Sequence, residues 1–293
     1  MSSILTNPSA MSALQTLRSI NSSMETTQER ISTGMRVGAA KDNAAYWSIA
    51  TTMRSDNAAL SAVQDALGLG AAKVDTAYAG VEAAIDVVKE IKAKLVTATE
   101  EGVDKLKVQE EIAQLQEQLR SIGSGASFNG ENWLDGSAGD ATVVTGFVRS
   151  GDGGVKVTTA DYDATNNALF GAYDATTGTV ADGGILEEVL GITLAEGDGA
   201  TEMAAHLDNV ELALTDMAKV GSTLGSLSKR ISLQEDFASK LSAAIDKGLG
   251  RLVDADMNEE STRLKALQTQ QQLAIQSLSI ANSNSQNILS LFR

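Results

Sequence analysis

The chain has 293 residues, of which 43% are hydrophobic but only 4% aromatic, and its formal net charge is −15. The length allows one or two domains, the scarcity of aromatic side chains favours slender helical bundles, and the acidic balance disfavours nucleic-acid partners, which need clustered Lys and Arg. With no cysteine and only one histidine, His206, the chain has no material for disulfides, thiolate catalysis, a His-based or Cys-based zinc site or a catalytic triad.

The first predicted element is an N-terminal helix that carries no charge before Arg18. Its apolar residues recur at intervals of seven, at Ala10, Leu17, Met24 and Ile31, with Leu14 beside them. The remaining surface is Ser, Thr, Asn and Gln, whereas a solvated helix normally carries charged side chains. This start has neither the basic nor the apolar region of a secretory signal, so an extracellular protein of this kind would need another export route.

A second heptad pattern predicts one long helix from about residue 43 to residue 99. Its main row is Met53, Leu60, Leu67, Val74, Val81, Val88 and Leu95, and a second row contains Ile49, Val63, Ala77, Ala84 and Ile91. A tight turn is expected at residues 100–102. A further stripe, Val108, Ile112, Leu115, Leu119 and Ile122, then predicts a helix folded back antiparallel on the first.

The middle of the chain has a different composition. From Gly130 to Ala205 the only basic residues are Arg149 and Lys156, and Gly, Asp and Thr become frequent. The sequences ATVVTGFVR and GVKVTT flank SGDGG, which predicts a β-hairpin, and further strand-like pieces occur at residues 168–173 and 178–180. We therefore expect a β-rich, solvent-facing segment.

Two more helices are predicted after the middle. The first has a row at Val210, Met217, Leu224, Ile231, Ala238, Ile245 and Leu252, which offers a partner stripe to the long N-terminal helix. The second has Leu267, Ala274, Ala281 and Ile288 seven apart, flanked by Leu264, Ile275, Leu278 and Leu289.

No charged residue lies between Lys265 and Arg293. Since an unpaired buried charge is costly and a hydrogen-bonded polar side chain is not, both tips are built for burial on every side. Many copies of the chain could supply that surrounding; the alternative is a terminal hairpin that only pairs with itself.

These patterns predict a mainly α fold, a long antiparallel coiled-coil-like bundle formed by both chain ends, with a small β-rich middle segment. The expected divisions are 1–42 and 253–293 for terminal helices, 43–129 and 203–252 for bundle helices, and 130–202 for a variable segment. No apolar run of residues approaches the length of a membrane span. We find no catalytic residues, and no cofactor or metal ion is expected.

Three stretches resemble bacterial flagellins. Residues 29–60, ERISTGMRVGAAKDNAAYWSIATTMRSDNAAL, resemble the N-terminal signature of that family. ASFNGENWLDG resembles the turn at which flagellins leave the helical bundle, and NSQNILSLFR resembles their C-terminus. The resemblance covers roughly the first 135 and the last 90 residues in the same order, and the middle is short for the family.

The resemblance implies an extracellular structural subunit that polymerises into the flagellar filament for swimming. Export would occur unfolded through the flagellar type III system, with a chaperone at the C-terminal region, a filament cap at the tip and hook–filament junction proteins as further partners. The inner tube would use Leu14, Leu17, Met24, Ile31, Leu264, Leu267, Ile275, Leu278, Ile288 and Leu289. The heptad rows from Met53 to Leu95 and from Val210 to Ile245 would form the bundle core.

The resemblance also indicates weak recognition by host innate receptors. In many relatives an arginine contacts the animal receptor; here Ile91 occupies its place, between Lys89 and Leu95. In residues 29–50, the segment that the plant receptor binds, Val37 and Trp47 are among the departures from the stimulatory pattern. The alternatives to a filament subunit are a hook–filament junction protein and a secreted adhesive or receptor-binding module.

Overall fold

The computed structural model describes residues 7–137, 139–149, 154–174 and 176–290, with residues 155 and 284–290 described at the level of the backbone. The helices are α1 Pro8–Thr33, α2 Ala44–Ala98, α3 Lys105–Gly125, α4 Glu187–Leu190, α5 Ala200–Val253 and α6 Met257–Ser290. The strands are β1 Ser127–Phe128, β2 Glu131–Asn132, β3 Asp140–Arg149, β4 Val155–Asp163, β5 Tyr173–Asp174 and β6 Thr179–Val180. The predicted mainly α fold with a small strand-containing middle is confirmed.

Side chains at the helix ends explain where several helices begin. The Asn7 side chain accepts a hydrogen bond from the N–H of Ala10 at 3.1 Å, ahead of Pro8 in the first turn of α1. Asn43 does the same for Tyr46 at 3.1 Å, which places the start of α2 one residue after the predicted boundary. Gly34 ends α1 in the left-handed conformation, with φ 71°, and donates its N–H to the carbonyl of Arg30 at 2.8 Å.

The chain divides into two compact units. Unit 1 contains residues 1–58 and 243–293, and unit 2 contains residues 59–242, so α2 and α5 contribute residues to both. In unit 1, α1 and α6 pack against each other antiparallel. A separate contact in the same unit joins the Asn57 amide to the Asp246 carboxylate at 2.7 Å.

In unit 2, α2 runs antiparallel to both α5 and α3. Lys92 pairs with Glu211, and Ser228 donates to the Asp75 carboxylate at 2.9 Å, which aligns α2 with α5. Lys94 pairs with Glu111 at 2.6 Å and aligns α2 with α3. The fold-back at residues 100–102 is therefore confirmed, and Gly102 adopts the left-handed conformation there, with φ 96°.

The predicted β-hairpin is also confirmed: β3 pairs antiparallel with β4, with a bulge between Val144 and Gly146. The hairpin lies close to two helices of unit 2. A Cβ at Gly70 of α2 would come within 2.4 Å of a Val143 methyl, and a Cβ at Gly146 would come within 2.9 Å of the Gln234 amide of α5. Small residues at these contacts let the hairpin approach the helices.

The expectation that the middle of the chain faces solvent is wrong for a large part of it. The buried residues between positions 130 and 202 include Trp133, Leu134, Leu169, Phe170, Leu186, Val189, Leu190 and Ile192. The buried Gln116 of α3 donates to the carbonyls of Val189 and Ile192, both at 3.0 Å, and Arg120 holds Asp182 at 2.8 Å. Apolar burial and these contacts tie the segment to α3.

Trp133 and Tyr162 stack inside this core, with ring centroids 5.3 Å apart and planes inclined by 19°. Among the described residues, neither the Trp133 indole N–H nor the Tyr162 hydroxyl has a hydrogen-bond partner. Burial, with a smaller effect from the Asp163 charge, raises the pKa of Tyr162 to about 12. The folded state therefore favours the neutral phenol of Tyr162 over the phenolate.

This burial predicts loss of stability in alkali. The unfolded phenol ionises near its ordinary pKa of about 10, so the contribution of Tyr162 to stability should be constant below pH 10 and be lost as the pH rises from 10 to about 12. Urea unfolding followed by Trp133 fluorescence should show a loss of about 2 kcal/mol that Tyr162→Phe removes. Tyr173→Phe, at an exposed tyrosine, is the matched control and should behave like the original chain. If Tyr162→Phe lost as much stability in alkali as the original chain, the effect would come from other groups.

Candidate assembly interface

The antiparallel hairpin of α1 and α6 is the candidate functional surface. Along α1 the residues turned towards α6 are half-buried at alternating steps of three and four, among them Leu17, Ile20, Met24 and Ile31. Along α6 they are Leu264, Leu267, Gln271, Ala274, Leu278 and Ala281, with the same spacing. This spacing is that of a heptad seam, in which one row from each helix meets the other.

Polar contacts fix how the two helices are aligned. Arg30 donates to the buried Glu260 carboxylate at 3.0 Å, near the base of the hairpin. Further along, Gln271 donates to the Asn21 side chain at 2.8 Å. Near the end, the Asn7 amide donates to the carbonyl of Ala281 at 3.0 Å. Three pairs along one seam specify a single antiparallel alignment, because a shift of one helix would break all of them.

Beyond the seam, the hairpin leaves large apolar side chains in water. Met11 is 64% exposed, Leu273 56%, Ile275 53%, Ile280 62% and Leu14 39%. No charged residue lies between Lys265 and the C-terminal Arg293, so beyond Lys265 the exposed apolar residues of α6 have only uncharged side chains around them on that helix. Exposed apolar patches of this kind mark surfaces that another protein covers.

The structure separates the predicted inner-tube residues into two groups. Leu17, Met24, Ile31, Leu264, Leu267 and Leu278 are half-buried in the seam within one chain. Leu14 and Ile275 are exposed on its flank. The side chains of Ile288 and Leu289 lie outside the described residues.

Sequence reasoning did not select Met11, Leu273 and Ile280, although they are among the most exposed apolar residues of these helices. Leu273 and Ile280 are seven residues apart and form a row of their own, which is the signal that could have identified them.

The heptad rows assigned to the bundle core lie largely in unit 2. Ten of these residues are buried: Leu60, Leu67, Val74, Val81, Val88, Leu95, Val210, Met217, Leu224 and Ile231. Met53 and Ile245, at the outer ends of the rows, belong to unit 1 and are half-buried. Ile49, from the second row, is 49% exposed, so the heptad pattern continues beyond the part of α2 where it is buried.

The structure places two of the three residues predicted for a possible host-receptor region in the core of unit 2. Lys89 is exposed, but Ile91 and Leu95 are each 0% exposed. In this fold the side chains of Ile91 and Leu95 belong to the core of unit 2, because they occupy buried positions of the α2 stripe. They are therefore not accessible to a protein that binds the folded chain.

A short backbone contact, which we call the clasp, joins residues 34–37 to residues 252–255 in unit 1. The N–H of Arg36 donates to the carbonyl of Val253 at 2.6 Å, and Ala255 donates to the carbonyl of Gly34 at 2.9 Å. Val37 and Val253 are buried beside these bonds. The clasp links the segment after α1 to the segment before α6 and so stabilises the base of the hairpin.

The loop that follows the clasp is held by Asp42. Its carboxylate accepts hydrogen bonds from the N–H groups of Ala39 and Gly38, at 3.0 and 3.1 Å. The bond from Ala39 is the main reason why the pKa of Asp42 lies below its ordinary value. Within the described ranges, no His, Asp and Glu side chains are grouped so that they could hold a metal ion. None of the helices described combines the length and apolar character of a membrane span.

Comparison with known proteins matches both ends of the chain. Residues 4–139 match the family described as the bacterial flagellin N-terminal helical region, and residues 207–292 match the bacterial flagellin C-terminal helical region. The chain is 54% identical to Flagellin C and 52% identical to Flagellin A of Rhizobium meliloti (strain 1021). It is 49% identical to a flagellin of Brucella melitensis biotype 1. Each alignment covers 100% of this chain and 100% of the relative.

Two further observations complete the comparison. The alignment with Flagellin A spans 394 positions, more than the 293 residues of this chain, so that relative contains additional residues. Among solved structures, Bacillus cereus flagellin is 16% identical to this chain, with a TM-score of 0.44 over 62% of this chain and 94% of that one.

Proposed function

Because this chain belongs to the bacterial flagellin family, whose N-terminal and C-terminal regions it matches, we propose that it polymerises through the outer surfaces of the hairpin of α1 and α6. It is a structural subunit of the flagellar filament, and its partners in that polymer are other flagellin subunits. The proposal concerns which of its surfaces make the filament.

The observation that carries the proposal is the exposed, neutral apolar surface left after α1 and α6 have paired. Met11, Leu14, Leu273, Ile275 and Ile280 remain exposed in the isolated chain. Burying a side chain of this size stabilises a contact by roughly 1.5–3 kcal/mol. Since α6 carries no charge between Lys265 and Arg293, subunits can cover its part of this surface without desolvating a charge. In this proposal the terminal helices line the filament interior.

We further infer a route to the cell exterior. The chain contains no cysteine, so no disulfide holds it folded, and it carries a single proline, Pro8. Both features suit a subunit that passes unfolded through the flagellar type III channel. A chaperone that covers the apolar C-terminal helix before export, and a cap at the filament tip, would complete this route. The work of the protein is then mechanical, through packed helices, and needs no catalytic group.

Polymerisation of the purified full-length chain tests the assignment as a filament subunit. Ammonium sulfate strengthens apolar burial and should drive the monomer into long fibres visible by electron microscopy. Short fragments of those fibres should then elongate when fresh monomer is added at low salt. A hook–filament junction protein would give neither long fibres nor elongation, and that result would overturn the assignment. An adhesive module would remain monomeric under both conditions.

A further inference from the structure

The exposed apolar residues of the hairpin lie on two different flanks. In α6 the seam is formed by Gln271 and Leu278 together with the other half-buried positions. Leu273 and Ile280 each follow a seam residue by two positions, a rotation of about 200° around the helix, so they point away from α1. Ile275 follows Gln271 by four positions, about 40°, so it borders the seam. We call Leu273 and Ile280 the ridge.

An open groove lies along the opposite flank of the same hairpin. Its lining includes Met11, Leu14, Gln15 and Arg18 of α1 and Leu278 and Asn282 of α6. Asn282 is seven residues after Ile275, so both lie on the groove's side of α6. The ridge residues do not line it. The hairpin therefore presents an apolar ridge on one flank and a groove with both apolar and polar side chains on the other.

We propose that the ridge of one copy docks into the groove of the next copy. This inference rests on the proposed polymerisation through the hairpin. It adds which flank of one subunit contacts which flank of the next. A second copy is the occupant because every copy of the filament subunit carries the ridge, and the ridge suits the groove chemically. Leu273 and Ile280 are apolar and can contact the Met11, Leu14 and Leu278 side chains of the groove. Arg18 is the only charged side chain among the described residues that line it.

Docking of this kind is head-to-tail. Because ridge and groove lie on opposite flanks, a subunit that has docked still presents a free ridge at one side and a free groove at the other. Such a heterologous contact does not close on itself as a twofold dimer does, and it extends into a helical polymer. A face-to-face pairing of two grooves would instead end after two subunits.

Disulfide trapping in the full-length chain tests the docking, since the chain has no cysteine of its own. Leu14→Cys subunits are mixed with an equal amount of Leu273→Cys or Ile280→Cys subunits, polymerised and oxidised. Ile275→Cys is the matched control, because residues 273 and 275 are similarly exposed, at 56% and 53%, but lie on different flanks. We expect at least tenfold more trapped dimer with a ridge cysteine than with Ile275→Cys. More dimer with Ile275→Cys would overturn the proposal in favour of groove-to-groove pairing.

A mixing experiment separates this inference from the proposed function. One variant removes the ridge by Leu273→Ser with Ile280→Ser, and another removes the groove wall by Met11→Ser with Leu14→Ser. Circular dichroism checks that each retains the helix content of the original chain. Neither variant should polymerise alone, but their equimolar mixture should give dimers, because one intact ridge meets one intact groove. If the ridge variant forms filaments like the original chain, the docking is wrong, although polymerisation through other parts of the hairpin would stand.

Discussion

Removing residues 266–293 is expected to abolish polymerisation and to leave a folded, soluble monomer. The deletion takes away Leu267 and Leu278 from the seam and both ridge residues, Leu273 and Ile280. Unit 2, residues 59–242, contains none of the deleted residues and has its own core. Loss of the hairpin surface removes several buried side chains per contact, each worth roughly 1.5–3 kcal/mol, which is enough to eliminate filaments at any practical concentration.

Sedimentation and electron microscopy in ammonium sulfate measure the loss, and circular dichroism measures what remains folded. Helix content should fall by more than the deleted residues account for, because α1 loses the partner that covers its seam and an isolated amphipathic helix is marginally stable. A chain of equal length whose last residues are scrambled is the control for bulk and composition. It should behave like the truncated chain. Filaments growing from the truncated protein would refute the assignment of the hairpin.

The helices were predictable because burial within one chain follows a strict period. Every residue of the heptad row from Leu60 to Leu95 is buried, as the pattern requires, and α2 begins after the capping residue Asn43, close to the predicted boundary. The turn at Gly102 follows from its left-handed backbone. In such elements the local sequence and the final packing agree, so the pattern of residues alone is enough to predict the element.

The middle of the chain was harder, because its structure depends on distant contacts. Acidic and glycine-rich composition suggested exposure, whereas residues such as Phe170 and Ile192 fill the space beside α3. Gln116 reaches the carbonyls of Val189 and Ile192, more than 70 positions away in sequence. No periodic pattern in the local sequence indicates such a contact. The hairpin of β3 and β4, which alternates along its own strands, could be found beforehand, and so could the strand-like piece at residues 178–180, which contains β6.

The interface shows a different limit of the sequence. A row of apolar residues seven apart defines a face of a helix but does not say what covers it. Leu14 and Leu17 were grouped together, yet Leu17 lies in the seam and Leu14 beside the groove. The outward direction of the ridge residues Leu273 and Ile280 could be recognised only once the antiparallel pairing of α1 with α6 was known.

Substituting Ile91 by arginine is expected to unfold unit 2. Ile91 is 0% exposed in α2, on the stripe that also buries Val88 and Leu95. An arginine there would place a charge in the core with no partner, which costs several kcal/mol and is comparable to the whole stability of a small domain. The thermal transition followed by Trp133 fluorescence should drop by more than 15 °C or disappear, and the variant should fail to form filaments.

The matched control is Lys89→Arg, two positions earlier on the exposed side of the same helix, which should change the transition by less than a few degrees. A stable Ile91→Arg chain that also gained binding to the animal flagellin receptor would show that position 91 is accessible. It would then contradict the burial of this stripe. If the chain unfolds instead, an arginine cannot be restored here by a single replacement. Weak receptor recognition would then follow from the packing of α2, since the same stripe that builds the core of unit 2 excludes a charge at this position.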